Sequence, residues 1–256
     1  MSEVFIHDLM AYDGLKIFQK EKTFRFSLDS LLLADFVKVN RRANRLLELG
    51  SGSGAILFYL TLKTDIELHG VEIQEEQVEL ALKGINYNNL DQQIKVHHLD
   101  MKKLQEIFPP SHFDIVVSNP PFFKNNDYNM VNNEISLSMA RHEISIDLEE
   151  LIVSAKKMLK TNGQFYMIHR ASRLEEIILL LSKHNFVIKR MRFVYTKPGK
   201  DSMMVLMEIR SNGKIGNLKI EEPLYILDDK DEYTDEVKRI FHLGDDKYAK
   251  ESELSE

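Results

Sequence analysis

The 256-residue chain contains no cysteine, which removes disulfides, cysteine-ligated metal centres and thiolate nucleophiles from consideration. It also lacks a long apolar run. The longest stretches, such as Ile177-Ile178-Leu179-Leu180-Leu181, fall far short of the roughly 20 residues a helix needs to cross a bilayer. Met1 to Met10 carries Glu3, His7 and Asp8, with neither a basic start nor an apolar core. No secretory signal is visible, and a cytoplasmic location is expected. There is no internal repeat or low-complexity linker. What remains is 43% hydrophobic and 29% charged, enough apolar content for a core that folds without crosslinks.

Charge is unevenly spread. The chain carries a net charge of -6, yet Glu221 to Glu256 alone carries -8, and Arg141 to Lys200 carries +6. That local excess suits phosphate contacts. The charged outer faces of ordinary helices explain it equally well, as in Ser172-Arg173-Leu174-Glu175-Glu176.

Periodicity sets the expected architecture. Arg45-Leu46-Leu47-Glu48-Leu49-Gly50 reads as a short strand running into glycines, followed by a helix over Ala55 to Leu62. A second strand covers 66–72, and Val78, Ala81, Leu82 and Ile85 recur at helical spacing after it. Further strands are expected at 94–97, 113–118 and 163–168, with helices at Leu148 to Leu159 and Arg173 to Lys183. Strands alternating with helices imply a parallel, doubly wound sheet. Phe186-Val187-Ile188 and Met203 to Ile209 lie too close in sequence for a crossover helix and fit an antiparallel edge hairpin. The expected fold is therefore α/β: a Rossmann-like, seven-stranded, mostly parallel sheet with an antiparallel C-terminal edge hairpin. The expected units are an N-terminal segment 1–44, a main domain 45–244 and a frayed acidic tail 245–256, with Pro223 to Leu227 adding a short ordered element.

The first motif is Glu48-Leu49-Gly50-Ser51-Gly52-Ser53-Gly54. A sharp strand-to-helix turn that brings backbone close to a ligand needs residues without Cβ. The spacing Glu-x-Gly-x-Gly-x-Gly differs from the G-x-G-x-x-G that seats a pyrophosphate at a helix N-terminus. A nucleoside cofactor without pyrophosphate, S-adenosyl-L-methionine, fits. Gly50, Ser51, Gly52 and Gly54 are expected beside its methionine and ribose parts, with Glu48 near the amino group. Glu72, closing the second strand, is placed to accept from both ribose hydroxyls, and Ile73 joins it in the cofactor set. Asp100, just after the third strand, is placed to accept from the adenine amino group.

The second motif is Asn119-Pro120-Pro121-Phe122, following the fourth strand. An exocyclic amine is a poor nucleophile because its lone pair is delocalised. The Asn119 side-chain oxygen and the Pro120 carbonyl can accept its two N–H bonds, leaving the lone pair aimed at a methyl group. The prolines stiffen the loop. Phe122, with Phe123, can stack on the flat group being methylated. Together the two motifs point to amino-methyl transfer. The missing cysteine agrees, since methylation at C5 of a pyrimidine ordinarily needs such a nucleophile.

The chain resembles the bacterial tRNA(Val) adenine-N6 methyltransferases that modify adenine 37, beside the anticodon. The resemblance runs from about Asp13 to Leu243. It is carried by the two motifs and by Phe24-Arg25-Phe26-Ser27-Leu28-Asp29-Ser30-Leu31-Leu32-Leu33-Ala34, Ala140-Arg141-His142-Glu143 and Tyr233-Thr234-Asp235-Glu236. It implies a class I methyltransferase with tRNA as partner and no metal. It also implies that the segment before the first strand covers the methionine end of the cofactor, making Arg25, Ser27 and Asp29 candidates for that wall. A helix N-cap is the other reading of Asp29. Lys124, Arg141 and His142 are candidates for the acceptor pocket or RNA backbone, although Lys124 also reads as a solvated loop residue and His142 as a structural histidine.

Tyr often stands where this chain has Phe122. Asn-Pro-Pro-Phe is also similar to rRNA guanine-N2 methyltransferases, which commonly carry a duplicated half for which 256 residues leave no room. Release-factor glutamine methyltransferases share the motif type but usually carry an N-terminal helical bundle, and only about 45 residues precede the first core strand here. A catalytically silent cofactor-binding scaffold is the non-enzymatic alternative. Oligomeric state is open.

Overall fold

The computed structural model describes residues 4–9, 12–20, 28–121 and 147–242. An antiparallel hairpin, β1 (Val4–Leu9) and β2 (Tyr12–Lys20), precedes helix α1 (Leu28–Phe36). Then strand and helix alternate: β3 (Arg45–Leu49), α2 (Ala55–Thr61), β4 (Glu67–Glu72), α3 (Glu75–Tyr87), β5 (Ile94–His98) and β6 (Phe113–Ser118). The second half contains α4 (Leu148–Met158), β7 (Leu159–Arg170), α5 (Leu174–Lys183), β8 (Phe186–Tyr195) and β9 (Ser202–Ser211). Two-residue strands β10 (Lys219–Ile220) and β11 (Leu224–Tyr225) and helix α6 (Asp235–Ile240) follow.

The sheet runs β5-β4-β3-β6-β7-β9-β8, parallel except for β9, which lies antiparallel between β7 and β8. These are the seven expected strands. β10 and β11 extend the sheet along the outer edge of β8, which reaches Tyr195 and so runs well past the three residues read as a strand. The extension has a physical use: an edge strand with unpaired backbone groups invites pairing with other chains, and short strands cover it.

Period-two alternation along the strands sorts the core into two layers. Leu46, Ile115, Val117, Tyr166 and Ile168 face α1, α2 and α6, together with Leu15 and Ile17 of the hairpin. Leu47, Val116, Phe165 and Met167 face α4 and α5. The short helix α2 is buried along Ala55 to Leu60 because sheet, α1 and hairpin enclose it. β2 is held to α3 through Asn88, whose amide accepts from the Lys16 backbone N–H at 2.9 Å and donates to its carbonyl at 2.7 Å.

Candidate active site

Strand order reverses at β3, whose neighbours β4 and β6 precede crossovers running in opposite directions. In open α/β sheets such a switch point leaves a crevice beyond the carboxyl ends of the strands, where ligands bind. The glycine motif stands there after β3, and Asn119, Pro120 and Pro121 of the second motif stand there after β6. A buried hydrogen bond from Ser118 Oγ to the Leu49 carbonyl, 2.8 Å, ties the two strand ends together.

After β3, Gly50 and Ser51 both donate backbone N–H groups to the Val71 carbonyl, at 2.9 and 3.1 Å. The chain then turns with φ of 73° at Gly50, 51° at Gly52 and 92° at Gly54. A Cβ at Gly52 would meet nothing within 4 Å, so that backbone presents an open face. Glu72 holds the turn from below: its two carboxylate oxygens accept from the Gly52 and Gln74 backbone N–H groups, each at 2.9 Å. Each oxygen keeps lone-pair capacity for another donor. Gly70, beside Glu48 in the sheet, makes room for the turn, since a Cβ there would lie 2.7 Å from Ser51 Oγ and 2.9 Å from Leu57 Cδ1.

Glu48, Gly70 and Glu72 share the sheet face toward α2. Glu48 is buried, and its Oε2 has no hydrogen-bond partner among the described residues. Burial, and then the neighbouring Glu72 carboxylate, pushes the Glu48 carboxyl well above the usual range, against the pull of the Leu57 backbone N–H. Ser51 Oγ is likewise buried and unpartnered.

Across the crevice, alternation along β6 turns Asn119 to the same face as Ile115 and Val117, toward α1. Its Nδ2 donates to Ser30 Oγ at 3.1 Å. Its Oδ1 is buried with no partner among the described residues. Three orphaned polar atoms thus converge at one switch point, although unpaired buried polar groups are uncommon and costly.

The match to known proteins is of the same kind. A family model described as "Methyltransferase domain" matches residues 40–242. The chain belongs to this methyltransferase family. Curated relatives of the methyltransferase include proteins from Tolumonas auensis and Pedobacter heparinus, both named tRNA1(Val) (adenine(37)-N6)-methyltransferase. The first is 26% identical over 74% of this chain and 77% of its own, and the second is 26% identical over 89% and 93%. A homologue of the same name from Porphyromonas gingivalis is 27% identical over 79% of this chain and 81% of its own. Among solved structures, a predicted O-methyltransferase from Agrobacterium tumefaciens superposes with a TM-score of 0.65 at 21% identity, covering 83% of this chain and 95% of that one. Geranyl diphosphate C-methyltransferase from Streptomyces coelicolor, solved with S-adenosyl-L-homocysteine, superposes at 0.54 with 12% identity over 72% of this chain and 75% of its own.

S-adenosylmethionine presents an ammonium, two ribose hydroxyls and a flat adenine, and the site has a feature for each. Glu48 offers an unpaired acceptor, the Gly52 backbone an open face and Glu72 spare lone pairs. Ile73, 42% exposed beside Glu72, offers an apolar platform. Its carbonyl lies 3.0 Å from His98 Nε2. Asp100 Oδ1 accepts from the Lys102 backbone N–H at 2.9 Å and starts a short 3-10 turn, leaving Oδ2 3.9 Å from Lys102 Nζ. The residues present fit the group.

Asp29 stands inside the first turn of α1, where an acid complements the helix dipole, and so is not the N-cap residue. Pro120 and Pro121 continue directly from Asn119. Arg25, Ser27, Phe122, Phe123, Lys124, Arg141 and His142 lie outside the described residues. Ser30, Ser118 and Gly70 are site residues that the motifs did not reveal. Ser30 is 89 positions from its partner Asn119, and no spacing rule links them.

The basic stretch before residue 200 is largely spoken for. Lys160 pairs with Asp114, Arg173 with Glu176, Lys183 with Glu149, Arg190 with Glu208 and Glu221, Arg192 with Glu236, and Lys197 with Asp231. Several of these acids come from the acidic C-terminal segment. Among the described residues, no cluster of three or more His, Asp or Glu is arranged to hold a metal, and no helix is long and apolar enough to cross a membrane.

Proposed function

We propose that this methyltransferase uses S-adenosylmethionine to methylate N6 of an adenine in RNA, namely adenine 37 in the anticodon loop of tRNA(Val). The observation that carries the reading is the Asn119 amide at the switch-point crevice, with a buried, unpartnered Oδ1 beside the orphaned acceptors of the glycine turn. The names of the relatives, which align over most of their length, supply the acceptor. Adenine N6 carries two N–H donors on a flat ring, which suits one amide oxygen and one backbone carbonyl. A loop base is already partly unpaired, so extruding it costs less than from a duplex.

Glu48 takes the amino end of the cofactor, Ser51 and the Gly50–Gly54 backbone line its methionine and ribose, and Glu72 accepts from the ribose hydroxyls. Ile73 carries one face of the adenine, and Asp100 accepts from its amino group. When bound, the cofactor supplies an electrophilic methyl on a sulfonium. Asn119 Oδ1 and the Pro120 carbonyl accept the N–H bonds of the target amine, which favours a pyramidal nitrogen with its lone pair toward the methyl group. Phe122 and Phe123 stack on the target ring. The methylated nitrogen is acidic enough to release its proton to water, so no general base is required. Segment 1–44 covers the site: Lys20, at the end of β2, pairs with Glu76 in the first turn of α3, and Ser30 meets Asn119. Arg25, Ser27 and Asp29 belong to that cover. Lys124, Arg141 and His142 serve the acceptor pocket.

The test is incubation with labelled S-adenosylmethionine and tRNA lacking its natural modifications, followed by nucleoside mass spectrometry. N6-methyladenosine mapped beside the anticodon is expected. Label in N2-methylguanosine of rRNA or in glutamine of a release factor would move the acceptor. Cofactor binding without any transfer would favour a scaffold.

A further inference from the structure

We infer that Ser30 is a positioning residue for methyl transfer, pinning the Asn119 amide by its NH2 group so that its oxygen faces the amine acceptor. The inference rests on the proposed amino-methyl transfer, though not on which RNA carries the amine.

The reasoning begins with the symmetry of an amide side chain. Oxygen and NH2 have nearly the same shape, so packing alone holds neither in place, and a hydrogen bond must pin the amide. With the oxygen inward, an incoming N–H meets an acceptor. With NH2 inward, donor meets donor, and the amine is turned away or held with its lone pair misdirected. Ser30 Oγ, 3.1 Å from Nδ2, provides an acceptor on the far side of the amide. That contact leaves Oδ1 buried and without a partner among the described residues, ready for an N–H donor of the acceptor.

The support is rigid. Ser30 is 7% exposed and lies in the first turns of α1, whose neighbours Leu31, Leu32, Leu33 and Ala34 are all buried in the core facing α2. α1 is anchored again at its other end, where Lys63 Nζ donates to the Ala34 and Val37 carbonyls, each at 3.0 Å. The hydroxyl is therefore delivered by a fixed helix, and the target geometry is set before the acceptor arrives.

The test compares single-turnover methyl transfer by the full chain, wild type and Ser30→Ala, with S-adenosylmethionine affinity measured separately. Ser30→Ala is expected to slow transfer about tenfold while the cofactor dissociation constant and melting temperature barely change. Ser30→Thr, which keeps a hydroxyl, should recover most of the rate. In an Asn119→Ala background, Ser30→Ala should cost nothing further, because the group it orients is gone. An unchanged rate in Ser30→Ala, or a loss that simply adds to that of Asn119→Ala, would overturn the role of Ser30 while leaving the methyltransferase reading intact. If the wild type transfers methyl to no amine, the reading itself falls and the role of Ser30 falls with it.

Discussion

At the residue scale, the site consists of polar atoms left without partners in places that ordinarily punish this. Asn119 is the sharpest case. Replacing it with alanine removes the acceptor without touching the glycine turn, so transfer should fall by about 100-fold or more while S-adenosylmethionine still binds; single-turnover kinetics beside calorimetric titration will show whether the two separate. Glu48 carries a cost in the absence of ligand. Its folded-state carboxyl is raised, so this group's contribution to stability falls as pH climbs above about 4.5, where the unfolded chain ionises more readily. Glu48→Gln should therefore stabilise the ligand-free protein at neutral pH by about 1 kcal/mol, and weaken cofactor binding. Thermal melts with and without cofactor should move in opposite directions for this variant.

At the element scale, the turn after β3 works because β4 makes way for it. Gly70 lies within β4, where a side chain would ordinarily strengthen a strand. Here a Cβ would press on Ser51 Oγ and Leu57 Cδ1. Gly70→Ala should cost about 1–3 kcal/mol in denaturant unfolding, and should lower cofactor affinity because Ser51 Cβ, also 2.9 Å from the added Cβ, moves only with the backbone of the turn. Much of this element-level organisation was legible in the sequence. The alternating apolar runs located the strands and the main helices, and the glycines located the turn. The hairpin 4–20 was not read as strands, and β10 and β11 were too short to carry a periodic signal. Hairpin residues Leu15 and Ile17 are core residues only because α3 and the adjoining helices are there to receive them.

At the scale of the whole molecule, charges separated along the chain are brought together in space. The basic segment ending near Lys200 and the acidic segment after Glu221 meet through Arg190–Glu221, Arg192–Glu236 and Lys197–Asp231. Counting charge by segment overstated the free positive surface. Buried histidines also tie the fold to pH. Burial lowers His69 from 6.5 to about 4, with Glu67 opposing, and burial likewise lowers His169 to about 4, helped by Arg173. Both are depressed, so the stability associated with their neutral forms is complete above about pH 6.5 and drains away as pH falls toward about 4. In a Glu48→Gln background, which removes the opposing carboxyl, denaturant midpoints should decline as pH falls across that window. A His69→Gln, His169→Gln variant should show a flatter profile, and an equally steep one would assign the acid sensitivity elsewhere.

By itself the sequence determined the class of sheet and the position of the glycine turn, and it carries the reading proposed for the Asn-Pro-Pro motif. Each of these is written in local order: apolar period, residues lacking Cβ, and a polar side chain before a stiffened loop. Only the tertiary structure decided that Ser30 meets Asn119, that Gly70 clears space for Ser51, and that Glu221, Asp231 and Glu236 pair with Arg190, Lys197 and Arg192. Those relations join residues tens of positions apart or more. They exist only once strand order and register have set which side chains share a face, and no local pattern encodes that.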